Sequence, residues 1–520
     1  MSDLNTKGQM LSQHLTRLYH DEAARQEYDA KAEKINVVGA GGALTAAYEQ
    51  LRNAAENTEE HLLLQKAVRR FYRQLFVTRD ESLVARSGNE LAVELTLAGY
   101  VQNDTLTRTQ VEQISTLATK YYDAYVRLLK RRSLPITHVT KWTLDVLAVE
   151  VESIISDHGK ERVFIEFAYT ELSSMLDAKS IFGREIDNFG AALYVAIHQT
   201  LLKSNPPVIR AALLRRYGVS IDDLEAYATF NTQLDGLIDS DITDKLTHII
   251  DRQGAPLRIL RRMMEEHDDL DTLLANRVAF LDKYEKQIEL EYDRVAKRIN
   301  RAIVRSIIFL IITKFLIGIA IEVPYDYWAH GGIIWLPLII NLLFPPVYMF
   351  ALKATHRLPG YANTRGLVDR IDTMLYGKTA IALDARHRRR STSAAFSAIY
   401  VVTSLAIMGA VMYGLLLLNF SLVHIAIFFI FLSAASFLGF RLSRLIRELE
   451  VVRSAQNGMT FIRDLLYLPF VVVGRWMSDK YSKVNIVTIV LDMLIELPLK
   501  TVLRLIRQWG AFIDERKDQI

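Results

Sequence analysis

The sequence predicts an all-α, polytopic membrane protein with a large N-terminal cytosolic helical domain, a helical stalk, four transmembrane helices and C-terminal amphipathic helices. Two observations predict this class. Residues 1–300 of the 520 are charged and amphipathic, whereas residues 303–440 contain four long apolar runs. In the first region apolar residues recur at steps of three and four, and the alternation typical of strands is nearly absent.

The cysteine content, the net charge and the N-terminal sequence exclude several kinds of site, partner and targeting signal. The chain has no cysteine, which excludes disulfides, Cys-ligated zinc, iron–sulfur clusters and a thiol nucleophile. A net charge of +4 is too small to indicate a nucleic-acid partner. The N-terminus lacks the apolar stretch of a secretory signal, so we expect the first domain to stay in the cytosol.

Residues 1–265 form the predicted cytosolic domain. Its clearest amphipathic segments are His61–Phe76, Thr109–Arg132, Thr140–Ser156 and Asp187–Lys203. An unknown cytosolic protein is the partner expected for so large a helical surface.

Residues 266–302 are predicted to be a stalk. A heptad seam crosses it, interrupted only at Glu285. The seam residues are Leu274, Val278, Leu281, Ile288, Tyr292, Val295 and Ile299. Apart from Pro256, no proline or glycine occurs from Ala255 to Ile317, so the stalk helix can continue into the first span. Its partner is either another helix of this chain or a second copy, which would make a homo-oligomer.

Four runs are long enough to cross the roughly 30 Å hydrocarbon core of a bilayer. They are Ile303–Val323, Ile333–Leu352, Ala394–Leu418 and Leu422–Phe440. The first two lie within 303–352, a basic cytosolic loop occupies 353–393, and the last two form a hairpin within 394–440.

The distribution of Lys and Arg predicts the orientation. Basic residues flank the first span, fill the loop between the second and third, and follow the fourth. The loops Pro324–Gly332 and Asn419–Ser421 contain none. Both termini are therefore expected to be cytoplasmic, in the cell (inner) membrane. Arg388, Arg389 and Arg390 are candidate contacts for anionic lipid headgroups at the inner face, or simply determinants of topology.

Residues 441–520 are predicted to be cytosolic or interfacial amphipathic helices. Leu465–Gly474 is too short to span, and Val484–Phe512 carries a narrow polar stripe. The alternative is that residues 465–506 enter the membrane as a hairpin.

Two motifs carry weak chemical signals. Val37–Gly42 resembles a phosphate loop, but Leu44 stands where a dinucleotide fingerprint has its third glycine, so a flexible break is favoured. Glu265–Asp271 is rich in oxygen ligands, with His267 and Asp271 on one helical face, yet acidic residues also favour a helix N-terminus. We therefore predict no metal site, no cofactor and no catalytic residue.

The candidate intramembrane polar residues of the first two spans are Lys314, Glu322 and Asn341. A lysine near the bilayer centre costs about 2.5–3.5 kcal/mol on insertion scales, so Lys314 is expected to face the bundle interior and a polar partner. Glu322 is expected to be a solvated residue near the outer interface. Regular helix geometry also predicts that it is a poor partner, since a separation of eight residues places it about 80° from Lys314. Asn341, or Asp492 and Glu496 in the C-terminal segment, are the alternatives.

Two functions stay open. The first is a non-enzymatic anchor, scaffold or signal-transmitting protein that acts through its cytosolic domain. The alternative is an oligomeric transporter or channel component that uses Lys314, Glu322, Asn341 and the Pro345-Pro346 pair. An enzyme is less favoured, because no Ser/His/Asp or paired-carboxylate arrangement can be assembled by spacing.

Overall fold

The structure, a computed structural model, describes residues 3–37, 46, 49, 62–131, 134–355, 358–377, 394–452 and 458–482. Within these residues the chain is helical, without a strand, and one isolated bridge joins Lys34 to Thr107. The all-helical prediction is confirmed for this part of the chain.

The helices of the first half are short to medium in length. They are α1 (Thr6–Lys31), α2 (Leu63–Thr78), α3 (Glu81–Ala85), α4 (Ser87–Leu97), α5 (Arg108–Leu129), α6 (Ile136–Ile155), α7 (Gly159–Met175), α8 (Ala178–Phe182), α9 (Phe189–Ile197, followed by a π-helical turn His198–Leu202), α10 (Pro206–Arg216), α11 (Leu224–Ile238), α12 (Asp241–Gln253) and α13 (Ala255–Glu266). The four amphipathic segments predicted above correspond to α2, α5, α6 and α9 with its π-helical turn, with ends that agree within about four residues.

The helices of the second half include the apolar runs. They are α14 (Leu270–Leu274), α15 (Arg277–Ile317), a π-helical segment (Gly318–Glu322), α16 (Val323–His330), α17 (Trp335–Thr355), α18 (Tyr361–Tyr376), α19 (Ala394–Leu417), α20 (Leu422–Arg447) and α21 (Gly458–Ser482). Helix α15, the π-helical segment and α16 follow one another without a break, and we call them the long helix.

Two compact units divide the chain. The N-terminal unit contains Met10–Tyr169 and Asp187–His248. The span-bearing unit contains Met1–Gln9, Thr170–Ile186 and Ile249–Val484, so α13 belongs with the spans. The predicted boundaries at residues 265 and 302 stay predictions.

Helix α6 is the centre of the N-terminal unit. It is apolar around most of its circumference, as expected of a helix covered on several sides. Trp142, Leu147 and Val151 are buried, and α2, α5 and α10 pack on it. Two buried side chains of this unit share one acceptor: Trp142 Nε1 donates to Asp235 Oδ2 over 2.7 Å, and the fully buried Arg210 also bonds to Asp235.

The stalk part of the long helix is covered by helices of its own chain. Asn276 caps it by accepting from the Ala279 backbone N–H. Phe280, Tyr284 and Ile288 are fully buried against α13 and α18, and the Tyr284 hydroxyl donates to the Pro256 carbonyl over 3.0 Å. Burial of this seam therefore needs no second copy.

The predicted seam is wrong at its second position, Val278, whereas its first residue, Leu274, is buried. Val278 is 78% exposed, and Phe280 and Tyr284 take the buried positions. The heptad pattern assumes one continuous helix from Leu274, but Leu274 lies in the separate short helix α14 and the long helix begins at Arg277. From Ile288 onward the predicted and buried positions agree at Ile288 and Ile299.

A helix lies inside the region predicted to be a basic loop. Helix α18 buries Leu367, Ile371 and Leu375 against α13 and α15. The Asn363 side chain donates to the Leu449 carbonyl over 2.8 Å and accepts from two backbone N–H groups after α20. The loop thus holds both the stalk and the end of the fourth apolar helix.

Four helices are long and apolar enough to cross a membrane, as the sequence predicts: Arg277–His330, Trp335–Lys353, Ala398–Leu417 and Leu422–Arg447. We call them candidate spans one to four. Spans one, two and four share a core that includes Leu310, Met349, Phe431 and Ala435. Span three leaves most of its apolar surface exposed.

The segment Leu465–Gly474 differs from expectation. It lies inside the 25-residue helix α21, which packs along α20 rather than forming a short separate element at the inner face. Gly474 allows this approach, because a Cβ there would lie 2.3 Å from the Ser433 carbonyl oxygen in the middle of α20. Residues 483–520, including Asp492 and Glu496, lie outside the described residues.

Candidate functional site

A cluster of polar side chains is buried among spans one, two and four. Its members are Lys314, Glu322, Asp326, Asn341 and His424, each no more than 2% exposed. We call these five residues the polar cluster. Ionisable residues buried within apolar, span-length helices are rare because desolvating their charge is costly, and where they occur they are usually functional residues.

Lys314 pairs with Glu322. The Lys314 ammonium lies 2.5 Å from Glu322 Oε1, and both side chains are buried. Lys314 therefore faces inward, in agreement with the prediction. The expectations that Glu322 is solvated and a poor partner are both wrong.

The π-helical segment Gly318–Glu322 explains the error. A π-turn places one extra residue in a helical turn, so Lys314 and Glu322 are related as i and i+7 of a regular helix. Their directions then differ by about 20° instead of about 80°. The registry shift brings the carboxylate onto the face of the ammonium, and nothing in the sequence pattern marked it.

Asn341 joins the cluster differently from expectation. Its amide Nδ2 donates to Glu322 Oε1 over 3.1 Å and to the His424 carbonyl over 3.3 Å, so Asn341 bonds to the partner of Lys314 instead of to Lys314. It thus links span two to spans one and four. The Phe431 ring on span four lies 4.9 Å from the Lys314 ammonium, a distance suited to a cation–π contact.

Sequence reasoning missed Asp326 and His424. Asp326 lies one turn beyond Glu322, in a segment predicted to be an outer loop, but α16 continues through it. Asp326 Oδ2 accepts from the Ile334 backbone N–H over 3.0 Å, and Oδ1 lies 3.5 Å from His424 Nε2. The spacing Glu322–Asp326, two acidic residues on one helical face, was the available signal.

Four buried polar atoms of the cluster have no hydrogen-bond partner. They are Glu322 Oε2, Asp326 Oδ1, Asn341 Oδ1 and His424 Nε2. Buried polar atoms are normally satisfied, so four exceptions in one cluster need an explanation such as water, an ion or a proton. With a neutral imidazole the cluster carries one positive and two negative charges.

Ser421, His424 and Asp326 lie in a row. Ser421 Oγ is 2.8 Å from His424 Nδ1, and it accepts from the His424 backbone N–H over 3.4 Å as the cap of α20. This hydroxyl is engaged at a helix start, which explains its position without a role as a nucleophile.

Other candidates have simpler roles. Glu265 and Glu266 lie at the end of α13 rather than at the start of the stalk, and they pair with Arg261, Arg262 and Arg294. Among the residues that the structure describes, no group of three or more His, Asp or Glu is arranged to hold a metal ion. The loop residues Gly39–Gly42 and Arg388–Arg390 lie outside the described ranges.

Comparison with known proteins adds no relative: no family model, curated protein or solved structure matches the chain.

Proposed function

We propose that the chain is a non-enzymatic, multi-pass protein of the cell membrane that transmits the state of its polar cluster to its cytosolic helices. The observation that carries this proposal is the long helix. One helix of 54 residues contains both the cluster residues Lys314, Glu322 and Asp326 and the stalk residues Phe280 and Tyr284.

The length of the long helix supports a mechanical coupling between the polar cluster and the stalk. At 1.5 Å per residue the helix is about 80 Å long, and a bilayer core uses about 30 Å of that. The remainder extends beyond the membrane and is packed by α13 and α18. A rotation or shift of the cluster end therefore displaces buried side chains at the stalk end, because packed helices move as rigid elements.

Lipid is the environment that suits the apolar helices. Phe309, Ile312, Leu316, Val402 and Leu417 are all more than half exposed, which disfavours contact with water. Trp328 and Trp335 are exposed near the ends of spans one and two and suit the outer interface, with both termini inside. Arg388–Arg390 and the basic flank of span one would contact anionic lipids, and a cytosolic protein would receive the signal.

Hydrogen exchange on the full chain in lipid nanodiscs tests this proposal. Glu322→Gln should change amide protection at Phe280–Ile288 and in α18, not only near the substitution. Ile319→Val, at a 54% exposed position of the same π-helical segment, is the matched control and should leave the stalk unchanged. Changes confined to the spans would show that the long helix does not transmit.

A second function rests on the four unpaired atoms, which suit an oligomeric transporter or channel component. Against it, the cluster residues are no more than 2% exposed, and α17 stays helical through Pro345 and Pro346. Ion flux in proteoliposomes that is lost in Glu322→Gln would favour this alternative.

A further inference from the structure

We propose that Asp326, His424 and His330 form a proton-binding site, in which His330 exchanges protons with water and His424 holds the bound proton. This site goes beyond transmission along the long helix and does not depend on it.

The three side chains meet at one oxygen atom. Asp326 Oδ1 lies 3.5 Å from His424 Nε2 and 3.7 Å from His330 Nδ1. The other carboxylate oxygen is held by the Ile334 N–H, so the carboxylate cannot turn away freely. The His424 side chain is fully buried, whereas that of His330 is 38% exposed at the end of α16. The carboxylate thus connects a buried imidazole to one that reaches solvent.

The hydrogen bonds of His424 explain why a proton can bind between His424 and Asp326. When His424 carries its hydrogen on Nδ1, it donates to Ser421 Oγ at 2.8 Å and leaves Nε2 as an acceptor. Nε2 and Asp326 Oδ1 are then two acceptors that face each other, and both are unpaired. One proton between them satisfies both atoms. The hydroxyl of Ser421 tolerates either state, because it can accept or donate.

The charges around the site also call for one proton. Among the described residues, the titratable groups that face His424 are Lys314, Glu322, Asp326, His330 and Tyr325. Lys314 is already paired with Glu322, so no Lys or Arg of the described residues lies beside the Asp326 carboxylate to balance its charge. A buried uncompensated charge is costly, and protonated His424 would neutralise it.

The transfer needs no further reactant. A proton leaves His330 Nδ1 and joins Asp326 Oδ1, which briefly becomes a carboxylic acid. It then leaves this oxygen for His424 Nε2, which becomes an imidazolium, and release follows the same steps in reverse. Both gaps slightly exceed a normal hydrogen bond, so a shift of a few tenths of an ångström or one bridging water completes each step.

The test is residue-resolved titration of the full chain in nanodiscs. Histidine labelled with ¹⁵N in the imidazole is followed by solid-state NMR from about pH 4.5 to 9, with signals assigned by His424→Gln and His330→Gln. We expect His424 to take up one proton within this range. Asp326→Asn should remove that step, and Asp326→Glu should retain it. His20, whose side chain is 86% exposed, is the internal control, and its signals should not differ between the variants.

Two results would overturn the proposal. One is a His424 that keeps a single protonation state throughout, or that titrates unchanged in Asp326→Asn. The other is a joint shift of the His424 and His330 signals by Zn²⁺, reversed by a chelator, which would assign the site to a metal ion. If His424→Gln does not fold, the infrared carboxylate stretching band of Asp326, identified by its loss in Asp326→Asn, gives a second measurement on the unsubstituted protein, because a hydrogen bond from the His424 imidazolium shifts this band. A band that does not change with pH would also contradict the proposal.

Discussion

Removal of one charge from the Lys314–Glu322 pair should destabilise the span-bearing unit strongly. In Lys314→Met the Glu322 carboxylate stays fully buried and keeps only the Asn341 amide as a donor. Removing one partner of a buried ion pair costs about 3–5 kcal/mol, because the other charge is left uncompensated. We therefore expect the free energy of unfolding to fall by about 3 kcal/mol or more.

The double variant Lys314→Met, Glu322→Gln should recover most of this loss, since it leaves no uncompensated charge at this pair. The expected coupling energy is about 2–3 kcal/mol. Phe315→Met is the matched control: it is the adjacent position, 58% exposed, and should stay within about 0.5 kcal/mol. Reversible unfolding of the full chain in bicelles is measured for the unsubstituted protein, the two single variants Lys314→Met and Glu322→Gln, the double variant and the control. The pairing would be refuted if the effects of the two single substitutions simply add in the double variant. It would also be refuted if the Lys314→Met protein is as stable as the control.

Three further predictions concern orientation, the stalk and pH. Because the chain has no cysteine, single introduced cysteines report the orientation without background labelling. Cysteines at Ala329 and Leu422 should react with an impermeant thiol reagent on intact cells, and cysteines at Tyr361 and Val452 should react only after permeabilisation. Labelling of Tyr361→Cys on intact cells would show that the orientation is the opposite one. All four positions are exposed. In the stalk, Tyr284→Asp should lower the free energy of unfolding by several kcal/mol and speed proteolysis near α13, whereas Glu289→Lys should change it by no more than about 0.5 kcal/mol. Equal rates of proteolysis in the two variants would mean that the Tyr284 face is not buried. In the N-terminal unit, burial and the nearby Glu161 raise the pKa of Glu152 from 4.5 to about 7. The folded state therefore holds a proton that the unfolded state releases, so stability falls as the pH rises from about 4.5 to 7, by up to about 3 kcal/mol. Glu152→Gln should remove this dependence and be the more stable protein at pH 8 in thermal unfolding, and an unchanged pH profile would contradict the raised pKa. The exposed Glu112→Gln is its control.

The properties that the sequence determined by itself are local ones. Helical periodicity placed α2, α5, α6 and α9, and the lengths of the apolar runs identified four helices able to cross a membrane. Both signals depend on residues within a few turns of one another, so one chain is enough to detect them. The high cost of an ammonium in an apolar run likewise predicted that Lys314 faces inward.

The tertiary structure alone decided which groups meet. The π-helical segment turned Glu322 toward Lys314, and a regular helix assumed from the sequence gave the opposite answer. Likewise, α13 and α18 selected Phe280 and Tyr284 over Val278 as the buried face of the stalk. Asp326 and His424 come from different spans, and their approach depends on the packing of α20 against the first two spans. The periodicity of apolar residues indicates which face of a helix is buried. The residues that pack on that face depend on the helical registry and on contacts between distant segments. No local pattern in a single sequence encodes these contacts.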